Sequence, residues 1–181
     1  LKIGEEMERF AIEASMVKVY GSETLGFCAD LGIQILGGYG FIEDYSMARI
    51  YRDTRIDRIW EGTNEINRQI ITGYLMKKVL LEEIPLREKI KCVDEFLATD
   101  PAVSGEGPLW YQTAMIEAGK YLTLYVFDEA LTEFSQDLKH EQQLGELLAN
   151  SFMDLYLADS TVARIGQLEE GNGQEPILEA I

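Results

Sequence analysis

The chain has 181 residues, of which 46% are hydrophobic and only four are proline, and this composition is typical of a globular, all-α protein. Its net charge of −16 is concentrated in residues 80–181, which hold 20 acidic and 6 basic side chains, against 12 and 10 in residues 1–79. Such acidity argues against binding to nucleic acid or to an anionic membrane surface, and no apolar run approaches the roughly 20 residues of a membrane span.

The first predicted element is a long helix from Glu5 to Leu36. We expect one apolar stripe of this helix, with residues three or four positions apart, to pack into the core. The stripe consists of Met7, Phe10, Ala14, Val17, Gly21, Cys28 and Ile35. Gly37 predicts the end of the helix, because glycine readily adopts a positive φ. It opens a run of three glycines in four residues, 37–40, where a ligand could approach the backbone closely.

The next predicted elements surround a carboxylate. A short helix over 47–56 is followed by a loop over 57–62 that presents Glu61 between Trp60 and Gly62. We expect the aromatic ring of Trp60 to shield the Glu61 carboxylate from water, which would raise its pKa and suit it to act as a general base near neutral pH. Gly62 leaves the neighbouring backbone N–H groups open to a ligand.

A further helix starts after Thr63, which is a natural N-cap residue. The pattern divides the chain into two predicted helical domains, 1–80 and 81–181. In the second domain, apolar periodicity predicts helices over 85–97, 109–138 and 141–165. The architecture indicated is therefore a helical bundle followed by a second helical unit.

The cysteines and the single histidine carry no predicted site. Cys28 and Cys92 lie on apolar helical faces, so we expect buried, reduced thiols of the kind found in cytoplasmic proteins. His140 has no second ligand nearby in the sequence, and we expect no metal site.

Residues 34–68 resemble the C-terminal segment of the acyl-CoA dehydrogenase family. The family motif Gln-x-x-Gly-Gly-x-Gly-Phe matches 34–41, Arg-Asp-x-Arg-Ile matches 52–56, and Ile-x-Arg matches 66–68. Residues 60–63 match Tyr-Glu-Gly-Thr, with Trp60 in place of the common tyrosine. Residues 81–181 resemble, more loosely, the helical extension of very-long-chain members. Since the chain also begins with Leu1 inside a charged helical pattern, we expect it to be the C-terminal fragment of a longer protein.

The resemblance implies an FAD-dependent oxidoreductase that removes hydrogen from the α and β carbons of an acyl-CoA thioester. It implies that Glu61 is the catalytic base and that Gly62 lets the substrate approach. It further implies flavin contacts at two places, after the Glu-Gly pair and at the end of the first helix, where the flavin belongs to a neighbouring subunit. The implied contacts are Thr63, Asn64 and Glu65 at the first place and Gln34, Gly37 and Gly38 at the second.

The resemblance also implies partners and leaves alternatives open. The expected partners are acyl-CoA, an electron-transfer flavoprotein and further copies of the same subunit, in a cytoplasmic dimer or tetramer that serves fatty acid β-oxidation. The family's N-terminal helical domain and β domain are missing, so we expect the isolated chain to be inactive. The alternatives are a related acyl-CoA oxidase and a non-catalytic helical interaction module that retains the motif.

Overall fold

The structure of the chain is a computed structural model that describes residue 8, residues 10–98 and residues 109–172. In this described part, every regular element is helical, which confirms the all-α prediction. The α-helices are α1 (Ala11–Leu36), α2 (Gly38–Phe41), α3 (Ser46–Thr54), α4 (Asn64–Leu80), α5 (Leu86–Ala98), α6 (Trp110–Phe134) and α7 (Gln142–Asn172), with 3₁₀ helices at Arg55–Arg58 and Ser135–His140.

The chain forms two compact units. The first comprises Leu1–Lys77 together with Gln142–Ala149, and the second comprises Lys78–Glu141 and Asn150–Ile181. The start of α7 thus belongs to the first unit, although it lies far along the sequence. The domain boundary at residue 80 stays a prediction.

In the first unit, α1 is the central element. It contacts α2, α3 and the following 3₁₀ helix, and its Ser22 hydrogen-bonds Asn64 on α4. The first turns of α7 belong to the same unit, where a Cβ atom added at Gly145 would lie 3.5 Å from the Thr72 hydroxyl on α4. The buried apolar residues of this unit are Ile12, Met16, Val19, Ala29, Ile71, Leu148 and Ala149. Helix α2 folds back closely on α1, since a Cβ atom added at Gly40 would lie 2.9 Å from the Cα of Ile33.

The apolar stripe predicted to be the core face of α1 is wrong. Val17 is 56% exposed and Ile35 is 82% exposed, and Cys28 also lies on the surface. The buried residues of α1 instead include two serines, Ser15 and Ser22. Apolar residues occur around most of α1, so the periodicity alone could not select the buried face.

The second unit packs α5, α6 and the later turns of α7 around a separate core. Its buried apolar residues are Leu86, Val93, Ile116, Phe127, Ala130, Leu138, Met153 and Ile165. The rings of Phe127 and Phe152 meet edge to face at 5.5 Å. Lys120 on α6 forms ion pairs with Glu117, at 2.7 Å, and with Asp159 on α7, at 3.0 Å.

Several predicted helix limits change in the structure. The predicted start of the first helix at Glu5 lies outside the described residues, whereas its end at Leu36 is as predicted. The helix predicted over 109–138 ends at Phe134, because Ser135 has a φ of 49° and a 3₁₀ helix follows. The helix predicted over 141–165 continues to Asn172, and the one predicted over 47–56 becomes α3 and the next 3₁₀ helix.

The environment of the cysteines differs from the prediction. Both Cys28 and Cys92 are free thiols, as expected, but both are exposed rather than buried. Cys28 lies on the outward face of α1, which is the face that the periodicity wrongly predicted to be inside.

Two features are absent from the described residues. None of the described helices is both long enough and apolar enough to cross a membrane. The same residues contain no group of three or more His, Cys, Asp or Glu side chains that could hold a metal ion.

Candidate functional site

The carboxylate loop has a strained backbone. It connects the 3₁₀ helix to α4, and in it Glu61 has a φ of 53° and Gly62 a φ of 84°. Glycine adopts such an angle easily, whereas a glutamate in this region costs roughly 1–2 kcal/mol. Conformations of this kind persist only where the surrounding contacts enforce them. The contacts of the loop are therefore central to understanding Glu61.

Two side chains hold the carbonyl group that follows Glu61. The Nζ atom of Lys18 on α1 donates to the Gly62 carbonyl oxygen at 2.8 Å, and the Nδ2 atom of Asn67 on α4 donates to the same oxygen at 2.9 Å. Asn67 also donates to the Thr63 carbonyl at 3.1 Å. A Cβ atom at Gly62 would lie 3.1 Å from the Asn67 amide nitrogen, so the position requires glycine for space as well as for φ.

A buried polar network links α1 to the start of α4. Asn64 is 2% exposed, and its Oδ1 atom accepts from Lys18 Nζ at 2.7 Å. Its Nδ2 atom donates to Ser22 Oγ at 3.0 Å and to Glu23 Oε1 at 3.1 Å. Buried polar groups are stable when they are hydrogen-bonded, and here each end of the Asn64 amide has partners on α1. The network fixes α4, and with it the carboxylate loop, to the middle of α1.

An ion pair completes the network. The Arg68 guanidinium binds the Glu23 carboxylate with two hydrogen bonds, NH1 to Oε1 at 2.8 Å and NH2 to Oε2 at 3.0 Å. Burial works to raise the pKa of Glu23, but hydrogen bonds from Arg68 and Asn64 outweigh it and hold that pKa below its ordinary value. Glu23 is therefore a permanent negative charge at neutral pH.

Thr63 caps α4, as the sequence predicts. Its Oγ1 atom accepts from the backbone N–H of Ile66 at 3.3 Å. The pKa of Glu65 lies below its usual value, first because the carboxylate accepts from its own backbone N–H and then because it accepts from the Thr63 hydroxyl. The first turn of α4 thus presents an exposed, ionised Glu65 beside the capped N-terminus.

The glycines after α1 have different structural roles. Gly37 has a φ of 58° and ends the helix, and buried Gly40 packs against the backbone of Ile33. Gly38 has neither constraint, since an added Cβ atom would meet nothing within 4 Å and the residue is exposed. Gln34 is also exposed, so this end of α1 offers an amide side chain and open backbone to an external group.

This difference predicts opposite outcomes for two alanine substitutions. Gly40→Ala should destabilise the first unit by about 1–3 kcal/mol, because its Cβ would overlap the backbone of α1. Gly38→Ala, the matched control in the same short helix, should leave stability unchanged or slightly improved. Thermal denaturation midpoints measure both effects. Equal midpoints for the two variants would contradict the packing role of Gly40.

The predicted site residues form two clusters rather than one. Gly62, Thr63, Asn64 and Glu65 follow Glu61 directly at the start of α4. Gln34 lies sixteen residues beyond Lys18 on α1, which corresponds to about 24 Å along the helix axis. The glycine cluster is therefore remote from the point where the carboxylate loop is attached to α1.

The shielding expected at Glu61 is not provided by Trp60 in this structure. The Glu61 side chain is exposed, and Trp60 is itself 56% exposed. Both side chains are thus accessible to a ligand.

A family model matches the part of the chain that contains both clusters. The model describes the C-terminal domain of acyl-CoA dehydrogenase, and it matches residues 2–76. Residues 2–76 therefore belong to the acyl-CoA dehydrogenase family. The matched region contains α1 to α3, the carboxylate loop and most of α4.

Individual members of the acyl-CoA dehydrogenase family extend this match. A probable acyl-CoA dehydrogenase of Bacillus subtilis (strain 168) is 35% identical over 181 residues, which cover 99% of this chain and 30% of that protein. The crystal structure of a Bacillus anthracis acyl-CoA dehydrogenase complexed with FAD has a TM-score of 0.83 and 38% identity, and the match covers 90% of this chain and 27% of that one. The resemblance to these two dehydrogenases therefore includes the second unit.

A third relative is similar over a shorter part of the chain. The caffeyl-CoA reductase–Etf complex subunit CarC of Acetobacterium woodii is 46% identical over 66 residues, which are 36% of this chain and 17% of that protein. All three relatives are much longer than this chain, which spans less than a third of each.

The residues that support the carboxylate loop were not among the predicted site residues. These residues are Lys18, Ser22, Glu23, Asn67 and Arg68. Two spacings in the sequence indicated polar faces that contain some of these residues. Asn64, Asn67 and Arg68 are spaced i, i+3 and i+4 and share one face of α4. Lys18 and Ser22 are four apart on an otherwise largely apolar helix.

Proposed function

We propose that this chain is the C-terminal part of a longer FAD-dependent acyl-CoA dehydrogenase, hereafter the parent enzyme. In this proposal the chain supplies the base for α,β-dehydrogenation of an acyl-CoA thioester. The main support is Glu61, an accessible carboxylate on a strained turn that Lys18, Asn67 and Asn64 hold in place, in a chain whose residues 2–76 belong to this family. A fixed and accessible carboxylate is what a general base requires.

The residues of the loop have separate roles in the proposed reaction. Glu61 removes a proton from the α carbon of the thioester, and the carboxylate becomes a carboxylic acid. Its backbone N–H donates to the thioester carbonyl, where negative charge develops as the proton leaves. Gly62, which has no side chain, lets the acyl group approach the loop. Bound FAD supplies the acceptor for the β hydrogen, which leaves as hydride.

The two clusters suit different parts of the cofactor. We assign Thr63, Glu65 and the backbone of Asn64 to the flavin next to Glu61, because the Asn64 side chain is buried and bonded to α1. The exposed amide of Gln34 and the open backbone at Gly38 fit a pyrophosphate, because they provide N–H donors without steric hindrance. The N–H of Gly37 donates to the Gln34 carbonyl at 3.3 Å, so we assign to Gly37 only the close approach that its missing side chain allows. Since Gln34 lies about 24 Å along α1 from Lys18, where the carboxylate loop is attached, we assign the second cluster to FAD of a neighbouring subunit, which requires a homo-oligomer.

The electron acceptor is proposed from the relatives. The name of the Acetobacterium woodii relative places it in a complex with an Etf. We infer that an electron-transfer flavoprotein reoxidises the parent enzyme, in the cytoplasm and in fatty acid β-oxidation. An acyl-CoA oxidase would use the same base but pass the electrons to oxygen.

Flavin reduction in the parent enzyme tests the proposal. Anaerobic addition of acyl-CoA thioesters of several chain lengths should bleach the visible flavin absorption. On admission of air, a dehydrogenase should produce little hydrogen peroxide, whereas an oxidase would produce it stoichiometrically. Absence of bleaching with every acyl-CoA would overturn the proposal and favour a non-catalytic interaction module.

The isolated 181-residue chain provides the matching control. We expect it neither to retain added FAD nor to react with acyl-CoA, because the two clusters contribute only part of a cofactor site. Retained flavin that bleaches with acyl-CoA would show that this chain builds a complete site by itself.

A further inference from the structure

Lys18 has an unusual set of partners for a partly buried lysine. Its ammonium group donates to the Gly62 carbonyl at 2.8 Å and to the Asn64 side-chain oxygen at 2.7 Å. Both acceptors are neutral, and both belong to the segment directly after Glu61. In the described part of the chain, Lys18 takes part in no ion pair with a carboxylate. Its hydrogen bonds are thus made to the loop that carries the carboxylate.

We propose that Lys18 is a positioning residue for the base, an inference that rests on the function proposed above. The Gly62 carbonyl is one residue away from Glu61, and its orientation is set by two donors, Lys18 from α1 and Asn67 from α4. These donors come from helices on either side of the loop, so together they fix the peptide between Gly62 and Thr63. The positive φ of Glu61 is then maintained from outside the loop.

The charges of the surrounding network give Lys18 an electrostatic role as well. Its charged members are Lys18, Arg68 and Glu23, and the carboxylate of Glu23 is already paired with Arg68. Arg58, Glu65 and Glu146 also act electrostatically on this pair. The charge that binds the loop directly is the ammonium group of Lys18. Fixed positive charge near the site where negative charge develops lowers the energy of the transition state without reorganisation. Lys18 therefore combines a geometric role with an electrostatic one.

Lys18→Met in the parent enzyme tests this role, because methionine keeps an unbranched apolar stem and removes the ammonium group. We expect kcat per bound flavin to fall by about 10- to 100-fold, the range that a small displacement of a catalytic group produces. KM for acyl-CoA should stay within about twofold, because Lys18 contacts the loop and not the substrate. Deuterium exchange from solvent at the α carbon should fall in parallel, since it reports the proton transfer alone.

Two further variants separate charge and fold from position. Lys18→Arg should recover part of kcat, because it retains the positive charge and N–H donors in a different geometry. Lys77→Met is the matched control on α4, since Lys77 is 55% exposed and lies 4.0 Å from Glu8; it should leave kcat unchanged. If Lys18→Met does not fold, Lys18→Gln, which keeps a donor without the charge, serves the same comparison and should also lower kcat.

The outcomes distinguish this inference from the proposed function. If acyl-CoA fails to bleach the flavin of the unmodified parent enzyme, the proposed function itself is wrong. If the parent enzyme turns over and Lys18→Met has an unchanged kcat with only a lower denaturation midpoint, Lys18 is merely structural and the inference is overturned. A raised KM with unchanged kcat would overturn it as well, since Lys18 would then act in substrate binding.

Discussion

Glu61→Gln in the parent enzyme should lower acyl-CoA turnover by about 10²- to 10⁴-fold while the flavin remains bound. Glutamine has nearly the same size as glutamate but cannot accept the α proton, and loss of a general base typically removes a factor of 10²–10⁴. The Glu61 carboxylate is exposed in the structure, so the substitution removes no buried hydrogen bond from the loop. Steady-state turnover and the flavin-to-protein absorbance ratio measure the two effects.

Glu82→Gln is a control with the same residue type and an equally unusual backbone. Glu82 is exposed and has a φ of 57°, close to the 53° of Glu61, but it lies in the second unit, away from the family motif. This variant should keep full turnover. If Glu61→Gln retained turnover as well, the assignment of Glu61 as the base would be wrong.

Local chemistry explains which features the sequence could predict. The end of α1 at Leu36 depends on the positive φ of Gly37, and the start of α4 depends on the Thr63 hydroxyl that caps it. Each of these interactions spans at most three residues. The helix that apolar periodicity predicts over 85–97 is similarly found as α5, in which Leu86 and Val93 are 2% and 3% exposed. Such features follow from residue type and helical period without knowledge of the rest of the fold.

Long-range contacts explain why the buried face of α1 was predicted wrongly. The predicted stripe is exposed at Val17 and Ile35, while Ser22 is 8% exposed because it bonds Asn64, 42 residues away. An apolar pattern assigns serine to the surface, but a buried hydrogen bond to α4 reverses that assignment. The exposed apolar face is extensive, with Phe27 63% exposed.

Contacts between residues far apart in the sequence also determine the candidate site. The motif identified Glu61 from its immediate neighbours, but the residues that hold it are distant: Lys18 is 44 positions from Gly62, and Glu23 is 45 positions from Arg68. A lysine and a glutamate on a long helix are ordinary surface residues by composition. Only the packing of α1 against α4 turns them into a polar network behind the loop.

Arg68→Met should give the largest loss of stability in the first unit, about 2–3 kcal/mol. Removing one member of a buried ion pair typically costs about 3–5 kcal/mol, because the remaining charge is left unpaired. The effect here should be smaller, since the Glu23 side chain is 37% exposed and water can partly replace the guanidinium, although the Arg68 side chain is only 10% exposed. Denaturation midpoints of the parent enzyme measure the loss. Arg52→Met, which breaks a fully exposed pair with Glu43, is the matched control and should change the midpoint little.

The pH dependence of this loss tests whether the ion pair is its cause. The pKa of Glu23 is below its ordinary value of 4.5 in the folded protein, so the unfolded chain binds the proton first as the pH falls. The stabilisation from the pair is therefore complete above about pH 4.5 and is lost as the pH falls through the folded pKa. The difference in midpoint between the unmodified enzyme and Arg68→Met should shrink in acid accordingly. A difference that stayed constant from about pH 7 to about pH 3 would instead assign the effect to packing of the Arg68 stem.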